Sequence, residues 1–208
     1  MLSYAGRALP WARLGVVAVL VVVLMDVVRR WPWTMWPLEG MAVGLLATGA
    51  AWCFDEAAAA VVDTAPRRLA WRTAGRASGV SLLLVAWVIA VIWSRDSLFG
   101  HSWAVAGQGI AAVIAASAYA TWRRAGGDPV PGRAIALVAV PTAAFWALLK
   151  PWDERLAVFP YADAGSGLGS WAGSAALWSI VAGAGLIVLV AALIDSRWWR
   201  SRSAGRAV

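Results

Sequence analysis

The sequence has 208 residues, of which 62% are hydrophobic and only 14% are charged, and its formal net charge is +7. Soluble domains average about 45–50% apolar and about 25% charged residues, so this composition excludes a soluble globule with a conventional polar surface. The single cysteine and single histidine, Cys53 and His101, exclude an internal disulfide and a metal site built from several Cys or His ligands.

Six apolar segments have about the length that a helix needs to cross the hydrocarbon core, which is roughly 17–25 residues. In chain order, we predict spans at Trp11–Val28, Pro37–Phe54, Gly79–Trp93, Trp103–Trp122, Ala134–Leu149 and Ser174–Ile194. The predicted fold is an all-α, polytopic membrane protein with six transmembrane helices, in which residues 1–208 form a single transmembrane domain. The first run lacks a small-residue cleavage site, which favours a retained anchor over a secretory signal.

Basic residues predict the orientation, because short cytoplasmic loops are enriched in arginine and lysine. With the N-terminus inside, the basic residues on the outer side are Arg29, Arg30, Arg95, Lys150 and Arg155, and all others fall on the inner side. We therefore expect both termini in the cytoplasm. The bias toward Ala, Val, Gly, Arg and Trp is typical of a GC-rich bacterial genome, so we expect a bacterial inner membrane. The positive charge is then a topology signal, and no nucleic-acid partner is expected.

The 16 tryptophans concentrate near the predicted span ends. Aromatic belts lie at this depth, where the ring anchors the helix at the membrane–water interface. A second interpretation is that part of the outer aromatic surface contacts a lipidic or aromatic substrate. The candidate residues for that contact are Trp31, Trp33, Trp36, Trp152 and Trp171.

Little in the sequence indicates catalysis. The glycine-rich run GSGLGS (165–170) lacks the Lys-Ser/Thr ending of a phosphate-binding loop and favours a flexible outer loop. Ionisable residues lie near the span ends, with Asp26 and Glu39 near the outer interface and Asp195 near the inner one. A proton path needs such groups deep in the membrane. We expect no enzymatic activity, no metal and no cofactor in this chain.

Gly40 and Gly44 form a GxxxG pair in the second predicted span. Small residues at this spacing let two helix backbones approach closely. The pair predicts tight packing inside the chain or, as the alternative, a dimer interface.

The most informative stretch is CFDEAAAAVVDTAPRRLAWRTAGR, residues 53–76, which joins the second and third predicted spans. Pro66 interrupts the helix, because the residue before a proline is pushed out of the helical region. Beyond it, Arg68, Arg72 and Arg76 recur at i, i+4 and i+8 on one helix face. Like charges at this spacing repel one another. That face therefore favours an acidic protein partner or anionic lipid headgroups.

Six spans with both ends inside, and a charged helical segment after the second span, resemble the membrane subunits of type-2 ABC exporters, especially the small actinobacterial permeases. FDEAAAAVVDTAPRRLAWRTAGR is similar to the permease segment that has an aromatic-Asp-Asp/Glu start, a central proline and trailing arginines. The resemblance implies a permease that pairs with itself or a related chain and binds a separate ATP-binding subunit. It also implies an outer segment, here Pro151–Gly173, that partly re-enters the membrane. The coupling residues that it implies are Asp55, Glu56, Asp63, Arg67, Arg68, Arg72 and Arg76.

A protein of another class also fits these features. A non-catalytic scaffold or assembly subunit of a larger inner-membrane complex would use the tryptophan-rich surface and the charged loop as contacts. A lipid-handling enzyme is a third alternative, and it is disfavoured because no acid–base pair is evident in the sequence.

Overall fold

The computed structural model of the chain describes residues 9–56, 69–149, 158–160 and 170–195. Six α-helices occur in these ranges and are numbered here in chain order: α1 Trp11–Arg30, α2 Met35–Trp52, α3 Leu69–Ser94, α4 Ser102–Ala125, α5 Pro131–Leu149 and α6 Trp171–Asp195. Short 3-10 turns, Pro32–Thr34 and Arg95–Ser97, follow α1 and α3. The described ranges contain no β-strand.

Five of these helices, α1, α3, α4, α5 and α6, are long and apolar enough to cross a membrane. Their outward faces carry large apolar side chains, such as Leu137 at 69% and Ile187 at 72% exposure. Soluble monomers rarely expose contiguous apolar surface of this kind. The predicted class, an all-helical multi-pass membrane protein, is confirmed at this level.

Helix α2 corresponds to the second predicted span, Pro37–Phe54, is not among these five helices, and lies in the middle of the bundle. It has 18 residues and packs against α1, α3, α4 and α5. Most of its residues are buried, including Glu39, which is only 1% exposed. Because protein rather than lipid surrounds most of this helix, α2 tolerates a carboxyl group and many small residues. The sequence placed Glu39 near the outer interface, and the structure places its side chain in the bundle interior.

Glycines bring α2 close to its neighbours. A Cβ atom added at Gly40 would lie 2.8 Å from the Cβ of Ala147 in α5, and one added at Gly44 would lie 3.1 Å from the Cβ of Ala143. On another face of α2, a Cβ at Gly49 would lie 3.0 Å from Val17 in α1. The close packing that the Gly40–Gly44 pair predicts is confirmed, and it occurs within the chain.

Contacts at the helix ends show that consecutive helices run in opposite directions. The start of α3 meets the end of α2 through Arg76 and Cys53, whereas the end of α3 meets the last turns of α1 through the hydroxyl of Ser94 and the carbonyl of Met25. We call the end of the bundle that holds the end of α2, the start of α3, the end of α4 and the start of α5 the arginine-rich end. The other is the opposite end.

The observed helices follow the predicted spans in order, and the largest difference is at α3. It begins at Leu69 rather than at the predicted Gly79. Its 26 residues correspond to a length of about 39 Å, which exceeds the roughly 30 Å of the hydrocarbon core. The sequence prediction stopped at the arginines because charged residues are excluded from lipid-facing spans. Helix α3 includes them because its first turns carry Arg72 and Arg76 on a face that is covered by protein.

Candidate functional site

Four charged side chains meet at the arginine-rich end, and we call them the Glu56 cluster: Glu56, Arg72, Arg76 and Arg124. Their exposures are only 3–7%. One carboxylate oxygen of Glu56 lies 3.0 Å from Arg76, and the other accepts a hydrogen bond of 3.1 Å from Arg124 and lies 3.7 Å from Arg72. A single carboxylate therefore links α3 and α4 to the chain that leaves α2.

Arg76 also closes the end of α2. The last carbonyl groups of a helix have no partner within the helix and carry its negative dipole end. The Nη1 atom of Arg76 donates to the carbonyl oxygens of Cys53 and Asp55, at 3.0 and 2.8 Å. The guanidinium of α3 thus satisfies acceptors beyond α2 and holds the Glu56 carboxylate at the same time.

The two acids after α2 are tied to the connection between α4 and α5. The backbone N–H of Glu56 donates to the carbonyl of Pro129 at 2.8 Å. The carboxylate of Asp55 accepts a 2.7 Å hydrogen bond from the backbone N–H of Gly132, one of the donors left without an intrahelical partner at the start of α5. A Cβ at Gly132 would lie 2.7 Å from the ring of Trp52, so glycine permits this close approach.

Arg124 fixes the other side of the cluster. Its Nη1 atom donates to the carbonyl of Asp128 at 3.2 Å, while Nη2 holds Glu56. The Asp128 carboxylate accepts from the backbone N–H of Val130 and from the guanidinium of Arg123. The hydrogen bond from Val130 and the charge of Arg123 hold the pKa of Asp128 below its usual value. The Asp128 carboxylate therefore holds the loop after α4 in one conformation, in which the Asp128 carbonyl faces Arg124.

Burial changes the protonation chemistry of the residues beside the cluster. It raises the pKa of the Cys53 thiol to about 12, and Cys53 is fully buried. Burial also raises the pKa of Asp55, although the hydrogen bond from Gly132 and the charges of Arg13 and Arg76 oppose that effect. The chain between α2 and residue 56 is thus held in an environment from which water is largely excluded.

The presence of a buried ion-pair cluster does not by itself show that the cluster stabilises the fold. Removing charges from water costs several kcal/mol per ion, so a buried pair is often no better than an apolar replacement. Deleting one partner is costly, because the remaining charges stay buried and unbalanced. The positions of α2, α3 and α4 at this end are therefore linked through the Glu56 carboxylate, whose removal is expected to be destabilising.

The structure brings together four of the predicted coupling residues. Asp55, Glu56, Arg72 and Arg76 all lie within or beside the cluster. The arginine face of α3 turns inward, and the acidic group that it meets is Glu56 of the same chain. Asp63, Arg67 and Arg68 lie outside the described residues. Sequence reasoning missed Arg124, whose only signal was the Arg123–Arg124 pair at the end of a predicted span.

The candidate outer tryptophans lie at or near the opposite end. Trp31 and Trp33 are 50% and 74% exposed around the turn after α1, and Trp36 is partly buried at the start of α2. Trp171 is 8% exposed and stacks on His101 with a centroid separation of 4.3 Å. Trp152 lies outside the described residues. The structure thus separates two exposed rings from a buried, stacked one.

A second polar network was also missed by sequence reasoning. The amide nitrogen of Gln108 in α4 donates to the hydroxyl of Ser174 in α6 at 3.2 Å. Ser174 donates in turn to the carbonyl of Val158, which also accepts from the indole of Trp178. These bonds hold Val158 and the buried Phe159 against α6. The available signal was the single glutamine in an otherwise apolar span.

The described residues contain no group of three or more His, Cys, Asp or Glu side chains that could hold a metal ion. Comparison of the chain with protein family models, with curated proteins and with solved structures gave no match.

Proposed function

We propose that the chain is the membrane-spanning permease subunit of an ABC transporter, in the exporter direction, driven by a separate ATP-binding subunit. The observation that carries the proposal is the position of the Glu56 cluster. Glu56 immediately precedes residues 57–68, and Arg72 and Arg76 lie just after them. A force applied to that segment would reach α2, α3 and α4 through one set of buried ion pairs.

In this proposal all six helices cross a bacterial inner membrane and both termini are cytoplasmic. The alternating helix directions and the concentration of arginines at one end of the bundle support this orientation. Segment 57–68 then faces the cytoplasm, where an ATP-binding subunit is available. ATP hydrolysis belongs to that partner, and this chain supplies the path and the mechanical connection.

A second copy or a related permease completes the proposed transporter. Helices α5 and α6 support this, because only 11% of the apolar stretch of each helix is buried within the chain. Their outward faces carry residues such as Leu137 and Ile187, which either lipid or another permease chain can cover. In the proposal, the substrate path lies between two such chains.

The test is a mild-detergent purification of tagged full-length protein, followed by identification of stoichiometric partners. We expect a partner with a Walker A motif, lost when Asp63, Arg67 and Arg68 are changed together to Asn, Gln and Gln. Arg72 and Arg76 are unsuitable for this purpose, because they are buried and their loss would disturb the bundle. Arg95→Gln, at an exposed side chain of the opposite end, is the matched control.

Recovery of a large complex without any nucleotide-binding subunit would contradict the permease proposal. It would favour the second candidate, a membrane scaffold or assembly subunit. One observation supports that candidate: Trp33 and Trp103 are 74% and 88% exposed, so the opposite end presents large aromatic surfaces. A scaffold should lose its partners when these two rings are removed and keep them when segment 57–68 is changed.

A further inference from the structure

A small cavity adjoins the Glu56 cluster and is lined by residues of α3, of α4 and of the chain that follows α2. Its volume is about 10 Å³, which is room for one water-sized particle. The lining residues are Phe54, Glu56, Arg72, Thr73, Arg76, Thr121 and Arg124. These described residues carry three guanidinium groups and one carboxylate, so their summed formal charge is positive.

Thr121 lines the cavity and has a buried hydroxyl group. Its side chain is 0% exposed, and its hydroxyl has no hydrogen-bond partner among the described residues. A buried hydroxyl left without a partner costs roughly 1–3 kcal/mol. Buried polar groups in native proteins are almost always satisfied, by protein, water or a bound ion. A hydrogen-bond partner of the Thr121 hydroxyl would lie in the cavity that Thr121 lines.

The chemistry of the lining selects an acceptor. An arginine side chain carries five N–H donors and no acceptor, and a threonine hydroxyl carries a donor. Among the described residues that line the cavity, Glu56 is the only carboxylate, and its two oxygens already face Arg72, Arg76 and Arg124. A particle that only accepts hydrogen bonds and carries negative charge therefore fits this wall better than a donor or a cation.

Size narrows the class further. Phosphate, sulfate and carboxylate groups need several times the space of one water, whereas a halide ion is a single atom and needs far less space than these polyatomic groups. We propose that this cavity is a binding site for a single small monovalent anion, chloride under cellular conditions, held by the guanidinium groups and by Thr121. The site bridges α3 and α4 and does not depend on the proposed transport function.

The experiment is thermal unfolding of the purified full-length protein in sodium chloride, sodium bromide and sodium gluconate at equal ionic strength. A ligand that binds only the folded state raises its stability with concentration. We expect a saturable rise of about 3–5 °C in chloride and bromide relative to gluconate. Sodium sulfate serves as a further control, because it stabilises folded proteins generally and should act equally on every variant.

The decisive variant is Thr121→Val, which keeps the side-chain shape and removes the hydroxyl. It should lose most of the chloride-dependent rise, and Thr121→Ser should restore it. The matched control is Thr48→Val, because the Thr48 hydroxyl in α2 is also buried and without a hydrogen-bond partner in the described chain, but it does not line the cavity. Thr48→Val should retain the full rise.

Two results would overturn the proposal. One is equal stability of the wild type in chloride and gluconate, which would mean that the cavity holds water. The other is a full chloride effect in Thr121→Val, which would place the anion elsewhere. If Thr121→Val does not fold, crystals of the wild type grown in bromide decide the question. An anomalous peak within hydrogen-bond distance of Thr121 Oγ1 supports the site, and its absence there contradicts it.

Discussion

The guanidinium of Arg124 donates to the carboxylate of Glu56 at 3.1 Å and so joins the end of α4 to the end of α2 across 68 residues of chain. The same carboxylate lies 3.0 Å from Arg76 of α3. Three helices that meet at the arginine-rich end thus depend on one acid. Because all of these groups are buried, the loss of one cannot be compensated by water.

Glu56→Gln should therefore be strongly destabilising. The amide has nearly the same shape, but it leaves the buried guanidinium groups of Arg72, Arg76 and Arg124 without their carboxylate. Breaking a buried charge pair costs about 3–5 kcal/mol. We expect a large fall in the thermal unfolding midpoint of the detergent-purified protein. A decrease of less than about 1 kcal/mol in the free energy of unfolding would show that the cluster is better solvated than its burial indicates.

Asp26→Asn is the matched control for this change. Asp26 also faces two arginines, Arg29 and Arg30, at 3.1 and 2.8 Å, but these side chains are 29–60% exposed. Exposed ion pairs contribute about 0–1 kcal/mol. The control should shift the midpoint little, so the contrast isolates burial from the mere presence of an ion pair.

Much of the helical framework could be predicted from sequence, whereas the pairing at the site could not. The lengths of the apolar runs placed α1, α4 and α6 within a few residues of their observed bounds. This works because a helix that crosses the hydrocarbon core needs an apolar run of about 20 residues. The contact between Glu56 and Arg124 depends on how α2 and α4 pack, and one sequence carries no direct record of that. Arg72 and Arg76 were correctly placed on one helix face, but only the structure shows that Glu56 covers it.

Gly109 is a point of close contact between α4 and α3. The indole of Trp87 in α3 lies directly over it and donates from Nε1 to the carbonyl of Ala106 at 3.1 Å. A Cβ added at Gly109 would overlap that ring. We expect Gly109→Ala to destabilise the protein by about 1–3 kcal/mol through overpacking, measured as a lower unfolding midpoint and reduced tryptophan burial.

Gly107→Ala tests the same substitution two residues earlier on the same helix. Nothing lies within 4 Å of a Cβ added at Gly107. Alanine favours the helix by up to about 1 kcal/mol relative to glycine, so this variant should be neutral or slightly more stable. Equal destabilisation by both variants would mean that the backbone, rather than the Trp87 contact, sets the cost.

Asp55 and Asp128 predict opposite pH effects on stability. Burial raises the pKa of Asp55 above 3.8, so the folded protein binds that proton more tightly than the unfolded chain does. Stability from Asp55 is therefore highest at low pH and is lost as the pH rises from about 3.8 through the folded pKa. The pKa of Asp128 is lowered, so its contribution is present above 3.8 and is lost as the pH falls through the folded pKa.

The measurement is the unfolding midpoint of each variant relative to the wild type as a function of pH. Asp55→Asn keeps an oxygen that can accept from Gly132 and removes the buried charge, so its relative midpoint should rise as the pH increases above about 3.8. The unfolding midpoint of Asp128→Asn relative to the wild type should instead fall as the pH increases toward 3.8. Parallel curves for the two variants would contradict the assignment of burial as the dominant effect at Asp55.

Cys53 provides a direct reporter of the arginine-rich end. The thiol is fully buried, donates to the carbonyl of Gly49 at 3.4 Å, and has its pKa raised to about 12 by burial. Only the thiolate reacts readily with maleimides. The native protein at neutral pH should therefore resist labelling, and it should label fully once denatured.

Labelling then becomes sensitive to the Glu56 cluster, because Arg76 holds the carbonyl of Cys53 as well as the Glu56 carboxylate. Local opening exposes the thiol and restores its ordinary acidity, so the rate follows the free energy of that opening. Each 1.4 kcal/mol lost from that free energy should raise the rate about tenfold. We expect Glu56→Gln to accelerate labelling at least that much, while Asp26→Asn leaves it unchanged. An unchanged rate in Glu56→Gln would mean that the end of α2 is held by packing alone.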